Sequence, residues 1–117
     1  TEKRNSTRGC ASSTRGVIGA GKNVGGTTLN TVDYITIASF GNAINFGSLT
    51  TARQRPASCS SSIRGVWGGG YSPGTYYNTI DYVTISTLGN ATNFGQLTAP
   101  KFTHAACSDS HGGLGGF

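Results

Sequence analysis

The sequence predicts an all-β chain built from repeated four-stranded antiparallel sheets. Three observations carry that prediction. Residues 30–50, "NTVDYITIASFGNAINFGSLT", and residues 78–98, "NTIDYVTISTLGNATNFGQLT", share fourteen of 21 positions at a spacing of 48. Ser, Thr and Asn total 37 of 117 residues and Gly adds 19, so turn-forming residues dominate. Against that background stand ten Tyr or Phe residues and regular Val/Ile/Thr runs, which a disordered chain would lack.

The repeat extends beyond the two matched stretches. A basic residue occupies one slot per unit (Arg4, Arg53, Lys101), and a cysteine follows six residues later (Cys10, Cys59, Cys107). Next come Arg15-Gly16-Val17-Ile18-Gly19, Arg64-Gly65-Val66-Trp67-Gly68 and His111-Gly112-Gly113-Leu114-Gly115. The unit is about 48 residues, so residues 1–97 hold two units and 98–117 the first part of a third. Periods of roughly 20–50 residues signal solenoids, propellers or arrays.

Each unit yields four strands. The first surrounds the cysteine, as in "RPASCSSS". The second, "IRGVWGG", ends in glycines. A loop follows, "GYSPGTYY" in one unit and "GKNVGGTTL" in the other. The third strand is "TIDYVTIS", with Ile80 and Tyr82 on one face and Val83 and Ile85 on the other, which predicts burial of both faces. "TLGNAT" supplies a turn, and "NFGQL" is the fourth strand. Stacked copies of the sheet would cover both faces.

The order of a basic residue after "LT", a small-residue strand, "RGVWGGGY" with the Gly68-Gly69 doublet, and a strand–turn–strand with a late aromatic resembles the kelch repeat. That resemblance implies kelch-like β-propeller blades, about two and a half of them here. It departs from the pattern at Gly19-Ala20-Gly21, and at Phe46 and Phe94, which stand where Trp is usual. The wording "NTIDYVTI…GNATNFG" is also similar to repeats in virion and tail-associated proteins of marine tailed phages, including those of cyanobacteria. This implies a virion or extracellular setting and a non-enzymatic role in assembly or host-surface attachment. A lectin-like carbohydrate-binding propeller is the alternative. A β-helix or fibre with repeated hairpins is the competing architecture, although a 48-residue unit is long for one rung.

Propellers have about four to eight blades, and two and a half cannot close a ring. The expected partners are therefore other blades of the same chain or other subunits, with virion proteins or a host-surface glycan beyond them. The sequence lacks Met, so the chain reads as processed or as a segment of a longer one.

Other functions find less support. The net charge of +5 is scattered and surrounds no recognisable nucleic-acid module, so no nucleic-acid partner is expected. No apolar run approaches the ~18 residues of a spanning helix, so membrane insertion is not expected. Gly16 to Lys22 nearly spells a phosphate loop, but Asn23 stands where Ser or Thr would hold magnesium. His104, Cys107, Asp109 and His111 have a loose metal-site spacing, but His104 and Cys107 would point to opposite strand faces. Some kelch-like propellers resemble oxidase scaffolds with an axial metal, yet this chain supplies no ligand set. No catalytic residue, cofactor or metal is assigned.

The repeated Asp33 and Asp81 are expected to pair with Arg15 and Arg64, or with backbone amides, and hold each blade. Cys10, Cys59 and Cys107 are expected to be small buried thiols. Equivalent slots on packed sheets lie ~10 Å apart, too far for a disulfide. Binding is expected where the units differ: Tyr71 replaces Lys22, and Tyr76-Tyr77 replace Thr28-Leu29. Tyrosines on a loop offer flat apolar faces with a polar tip. Asn5-Ser6-Thr7 and Asn90-Ala91-Thr92 match the glycosylation pattern.

Overall fold

Two antiparallel four-stranded sheets stack face to face, and each is drawn from one sequence unit. The computed structural model describes residues 2–108. The first unit contains β1 (Arg4–Asn5), β2 (Arg8–Ala11), β3 (Arg15–Gly19), β4 (Lys22–Asn23), β5 (Thr31–Thr36) and β6 (Ile44–Ser48). The second contains β7 (Ala57–Ser60), β8 (Arg64–Gly68), β9 (Tyr71–Ser72), β10 (Thr75–Tyr76), β11 (Thr79–Thr84) and β12 (Thr92–Gln96). The sheets run β2-β3-β5-β6 and β7-β8-β11-β12, while β1 pairs with β4 and β9 with β10. These are antiparallel meanders and not the rungs of a parallel solenoid.

The two units repeat in backbone detail as well as in sequence. Cys10, Val17, Tyr34 and Ile44 lie opposite one another across the first sheet, and Cys59, Val66, Tyr82 and Thr92 across the second. A bulge falls between Val32 and Asp33, and again between Ile80 and Asp81. Ser6, Arg55 and Thr103 share a left-handed backbone at φ 57°, 53° and 53°. They form a ladder, in which Arg55 N donates to Ser6 O (3.0 Å) and Thr103 N to Arg55 O (3.1 Å). The third unit therefore begins in the same conformation as the other two. Ala20 departs from the glycine doublet in sequence only, since its φ of 65° matches the 66° of Gly69.

The core lies between the sheets. Val17, Val32, Phe46 and Leu49 of the first unit meet Trp67, Val83 and Ile85 of the second, all 3% exposed or less. Trp67 packs against Gly19, where a Cβ would lie 3.2 Å from the ring, and its Nε1 donates to Arg8 O (3.1 Å). Removing a buried indole of this kind costs roughly 3–5 kcal/mol. At Gly47 an added Cβ would collide with the Gly89 carbonyl, so any other residue forces the two sheets apart there.

One sequence expectation is corrected here. The third strand of each unit is not buried on both faces. In β11 the face of Asp81 and Val83 is buried, while Ile80 and Tyr82 are half-buried. In β5 the opposite face is the covered one, so Val32 is buried and Ile35 is 40% exposed. Each sheet has one neighbouring sheet, so one face of each is covered.

Candidate functional site

The repeated acidic residues are structural; a backbone amide binds Asp81 as expected, but the paired cations are Arg4 and Arg53 and not Arg15 and Arg64. Arg4 Nη2 donates to Asp33 Oδ2 (2.6 Å) and Ile18 O (3.3 Å), and its Nη1 to Thr31 O (2.8 Å). Arg53 repeats the pattern with Asp81 Oδ2 (3.0 Å), Trp67 O (3.2 Å) and Thr79 O (3.4 Å). Thr50 adds its amide (3.0 Å) and hydroxyl (2.7 Å) to Asp81. Burial pushes the Arg53 guanidinium below its ordinary range, and Asp81 opposes that shift. The clamp residue is thus the basic slot before the cysteine. The sequence displayed that slot, but the sequence reading assigned the pairing to Arg15 and Arg64. Those two instead lie over the Tyr34 and Tyr82 rings, at 4.7 and 4.6 Å. Arg15 also reaches across to Ile85 O (2.7 Å).

The second sheet presents an open apolar face. Phe94 is 57% exposed, whereas its counterpart Phe46 is 3% exposed. Val66, Ile80 and Leu97 are half-buried, whereas Val17, Val32 and Leu49 are buried. Near Gly68, a cavity of about 200 Å³ is lined by Cys59, Val66, Ile80, Leu97 and His104. It falls where Trp67 sits on the first sheet. The first sheet has the reverse gap, with Ile35 and Ile37 40% and 54% exposed at the positions of the buried Val83 and Ile85.

The outer rim of the sheet–sheet joint is polar. Gly89 N donates to Phe46 O (3.0 Å), and Ala91 N to Ser48 O (2.8 Å). Ser48 N donates to Asn90 Oδ1 (3.1 Å), so the oxygen of this glycosylation-pattern asparagine takes part in the joint. At the inner rim, Ser58 Oγ donates to Gly9 O (2.7 Å) and Ser60 Oγ to Ala11 O (2.8 Å).

The cysteines are free. Cys10 is half-buried, and a Cβ on Gly65 would come within 2.6 Å of its Sγ. Burial, followed by the nearby Cys59, pushes its pKa up to about 12. Cys59 is half-buried in the open-face cavity. Cys107 is exposed, which corrects the expectation of three buried thiols. His104 is held below the ordinary imidazole range by burial and by Lys101. Asp109 and His111 lie outside the described residues. Among the described residues no three His, Cys, Asp or Glu side chains cluster. The near-phosphate loop from Gly16 to Lys22 lies along β3 and into β4.

Two of the three loop tyrosines come together. Tyr71 and Tyr76 stack at 6.1 Å with planes 27° apart. Phe102 joins them at 5.0 and 5.2 Å, and the Arg55 guanidinium lies 5.8 Å from the Tyr71 ring. Tyr77 turns away, its hydroxyl 3.1 Å from Ser72 Oγ. Phe102 was missed by sequence reasoning. Only the repeat slot it shares with Gln54 was visible; Gly70 N donating to Lys101 O (2.8 Å) and Lys101 N to Tyr77 O (3.2 Å) bring it to the rings. One unit earlier these three positions hold Lys22, Thr28 and Gln54, so the repeated sheet itself does not require the rings.

No family model matches the chain, and no curated protein matches it.

Proposed function

We propose that the chain is a non-enzymatic structural and interaction module, made of consecutive kelch-like blades of a β-propeller. Its proposed setting is a virion or phage tail, where it mediates protein assembly or host-surface attachment. One observation carries this reading. The positions that bury Phe46 and Leu49 leave Phe94 exposed and Leu97 half-buried, and those that bury Val83 and Ile85 leave Ile35 and Ile37 exposed. A sheet with a neighbour on one side and apolar residues open on the other supports a piece of a larger stack. Contiguous apolar patches of this kind mark interaction surfaces. The virion setting rests on the likeness of the repeat wording to phage tail proteins.

Two measurements test the reading. Electron microscopy of the native assembly should show radial sheets around an axis, and an isolated two-sheet sandwich would sink the propeller. Mass spectrometry of purified virions from the source should find peptides of this chain. Their confinement to the soluble fraction would remove the virion setting.

A second reading, a carbohydrate-binding propeller, is favoured by the ring cluster of Tyr71, Tyr76 and Phe102. A glycan-array signal abolished by Tyr76→Ala would support it. A blank array would count against it.

A further inference from the structure

The outer joint between the sheets is a short recognition code, and a copy of each half stands open on opposite sides of the two-sheet stack. In the joint, the turn Gly89-Asn90-Ala91 reads the strand Phe46-Gly47-Ser48 through three hydrogen bonds of 2.8–3.1 Å. Each partner uses backbone groups, and Asn90 contributes its side-chain carbonyl. Gly47 lets the turn approach, since any Cβ would collide with Gly89.

The same strand recurs as Phe94-Gly95-Gln96, and a Cβ on Gly95 would meet nothing within 4 Å. Phe94 and Gln96 are exposed. The same turn recurs as Gly41-Asn42-Ala43, identical in sequence to the engaged one. Gly41 and Asn42 are exposed, and a Cβ on Gly41 would also meet nothing within 4 Å. Behind the free turn stand Ile35 and Ile37, at the positions through which Val83 and Ile85 fill the internal joint. One chain therefore carries an empty socket on one side and a copy of its plug on the other.

We propose that copies of this chain associate head to tail, with the Gly41-Asn42-Ala43 turn of one copy seated on Phe94–Gln96 of the next. The proposal rests on the blade-module reading above and names the partner of its open face. Its geometry continues the internal interface. Such a contact is heterologous, so it propagates into rings or open filaments and does not stop at a two-fold dimer. His104, Ala105 and Ala106 line the inner half of the socket face, so the contact with the next copy is centred on the outer half, at Phe94–Gln96. Ala105 and Ala106 are exposed and lie outside any strand.

The test is sedimentation velocity of the 117-residue chain over a range of concentrations, with two blocked variants. Ala43→Pro removes a turn amide, with Asn42→Ala as the milder alternative. Phe94→Asp places a charge on the socket. Trp67 fluorescence reports that the internal joint remains folded in each. The wild type should gain mass with concentration in multiples of its 12.0 kDa. Each variant alone should associate at least tenfold more weakly. An equimolar mixture should form dimers and nothing larger, because one intact plug meets one intact socket. A monomeric wild type, variants that associate as the wild type does, or a mixture without dimers would each overturn the inference. The module reading fails separately, on the microscopy and virion measurements.

Discussion

Arg53 Nη2 lies 3.0 Å from Asp81 Oδ2, and both side chains are fully buried. The pair sits where the chain crosses from the first sheet to the second. It ties that linker to β8 and β11 through the Trp67 and Thr79 carbonyls. Arg4 and Asp33 repeat the arrangement at 2.6 Å.

Breaking a buried pair from one side leaves an uncompensated charge, at a cost of roughly 3–5 kcal/mol. Asp81→Asn should lower unfolding stability by about that amount in urea titrations. Arg64→Ala should cost less than about 1 kcal/mol, since its exposed guanidinium lies over the Tyr82 ring and, among the described residues, pairs with no carboxylate. Equal losses for the two variants would remove the clamp from its central place.

Gly47 and Gly95 have the same φ, 155°, but different surroundings. Alanine at either position carries the same backbone strain. Only at Gly47 does the added Cβ meet the Gly89 backbone. Gly47→Ala should therefore be less stable than Gly95→Ala by about 1–3 kcal/mol, the usual cost of overpacking. Calorimetric scans of both variants measure the difference, and indistinguishable midpoints would refute the close joint.

The thiols should react in the order of their exposure. Under native conditions a maleimide should modify Cys107 first, Cys59 next and Cys10 last, as read by peptide mass spectrometry. The raised pKa of Cys10, about 12 against an ordinary 9.0, also has a pH consequence. The unfolded thiol ionises first, so protons leave the unfolded state while the folded state retains its own. Stability is then complete below about pH 9 and falls as pH rises toward 12. Cys10→Ala should show a smaller loss between pH 8 and pH 10.5 than the wild type. Parallel curves would argue against burial of this thiol.

Thr103 has φ 53°, which is strained for a β-branched residue. It is exposed, so replacing it removes no packing. Thr103→Gly should relieve about 1 kcal/mol locally. The readout is slower hydrogen exchange at the Gly70 and residue-103 amides, which donate to Lys101 O and Arg55 O. Unchanged or faster exchange would mean that the left-handed turn does not limit the anchoring of this segment.

Much of the fold was legible because the chain states it twice. The strands around Cys59, Val66 and Asp81 fall where alternating apolar residues and glycine-bounded turns placed them. The turn residues Gly89 and Asn90 were visible as a turn, but their grip on Phe46 and Ser48 was not. The site was legible only in part. Tyr71 and Tyr76 stood out as differences between units, yet Phe102 joins them from the next unit. Backbone bonds between Lys101 and the Gly70 and Tyr77 groups bring it there.

The sequence by itself determined the period, the strand order within each unit and the residues that share a face. A strand's two-residue alternation and its turn chemistry are local and act wherever the segment lies. Only the tertiary structure decided which face has a neighbour and which cation reaches Asp33 and Asp81. Those outcomes depend on what crosses between sheets. Arg4 and Arg53 lie on the crossing segments, whereas Arg15 and Arg64 lie within the sheets. Val83 and Ile85 are buried because a first sheet stands in front of them, and Ile35 and Ile37 are exposed because none stands in front of theirs.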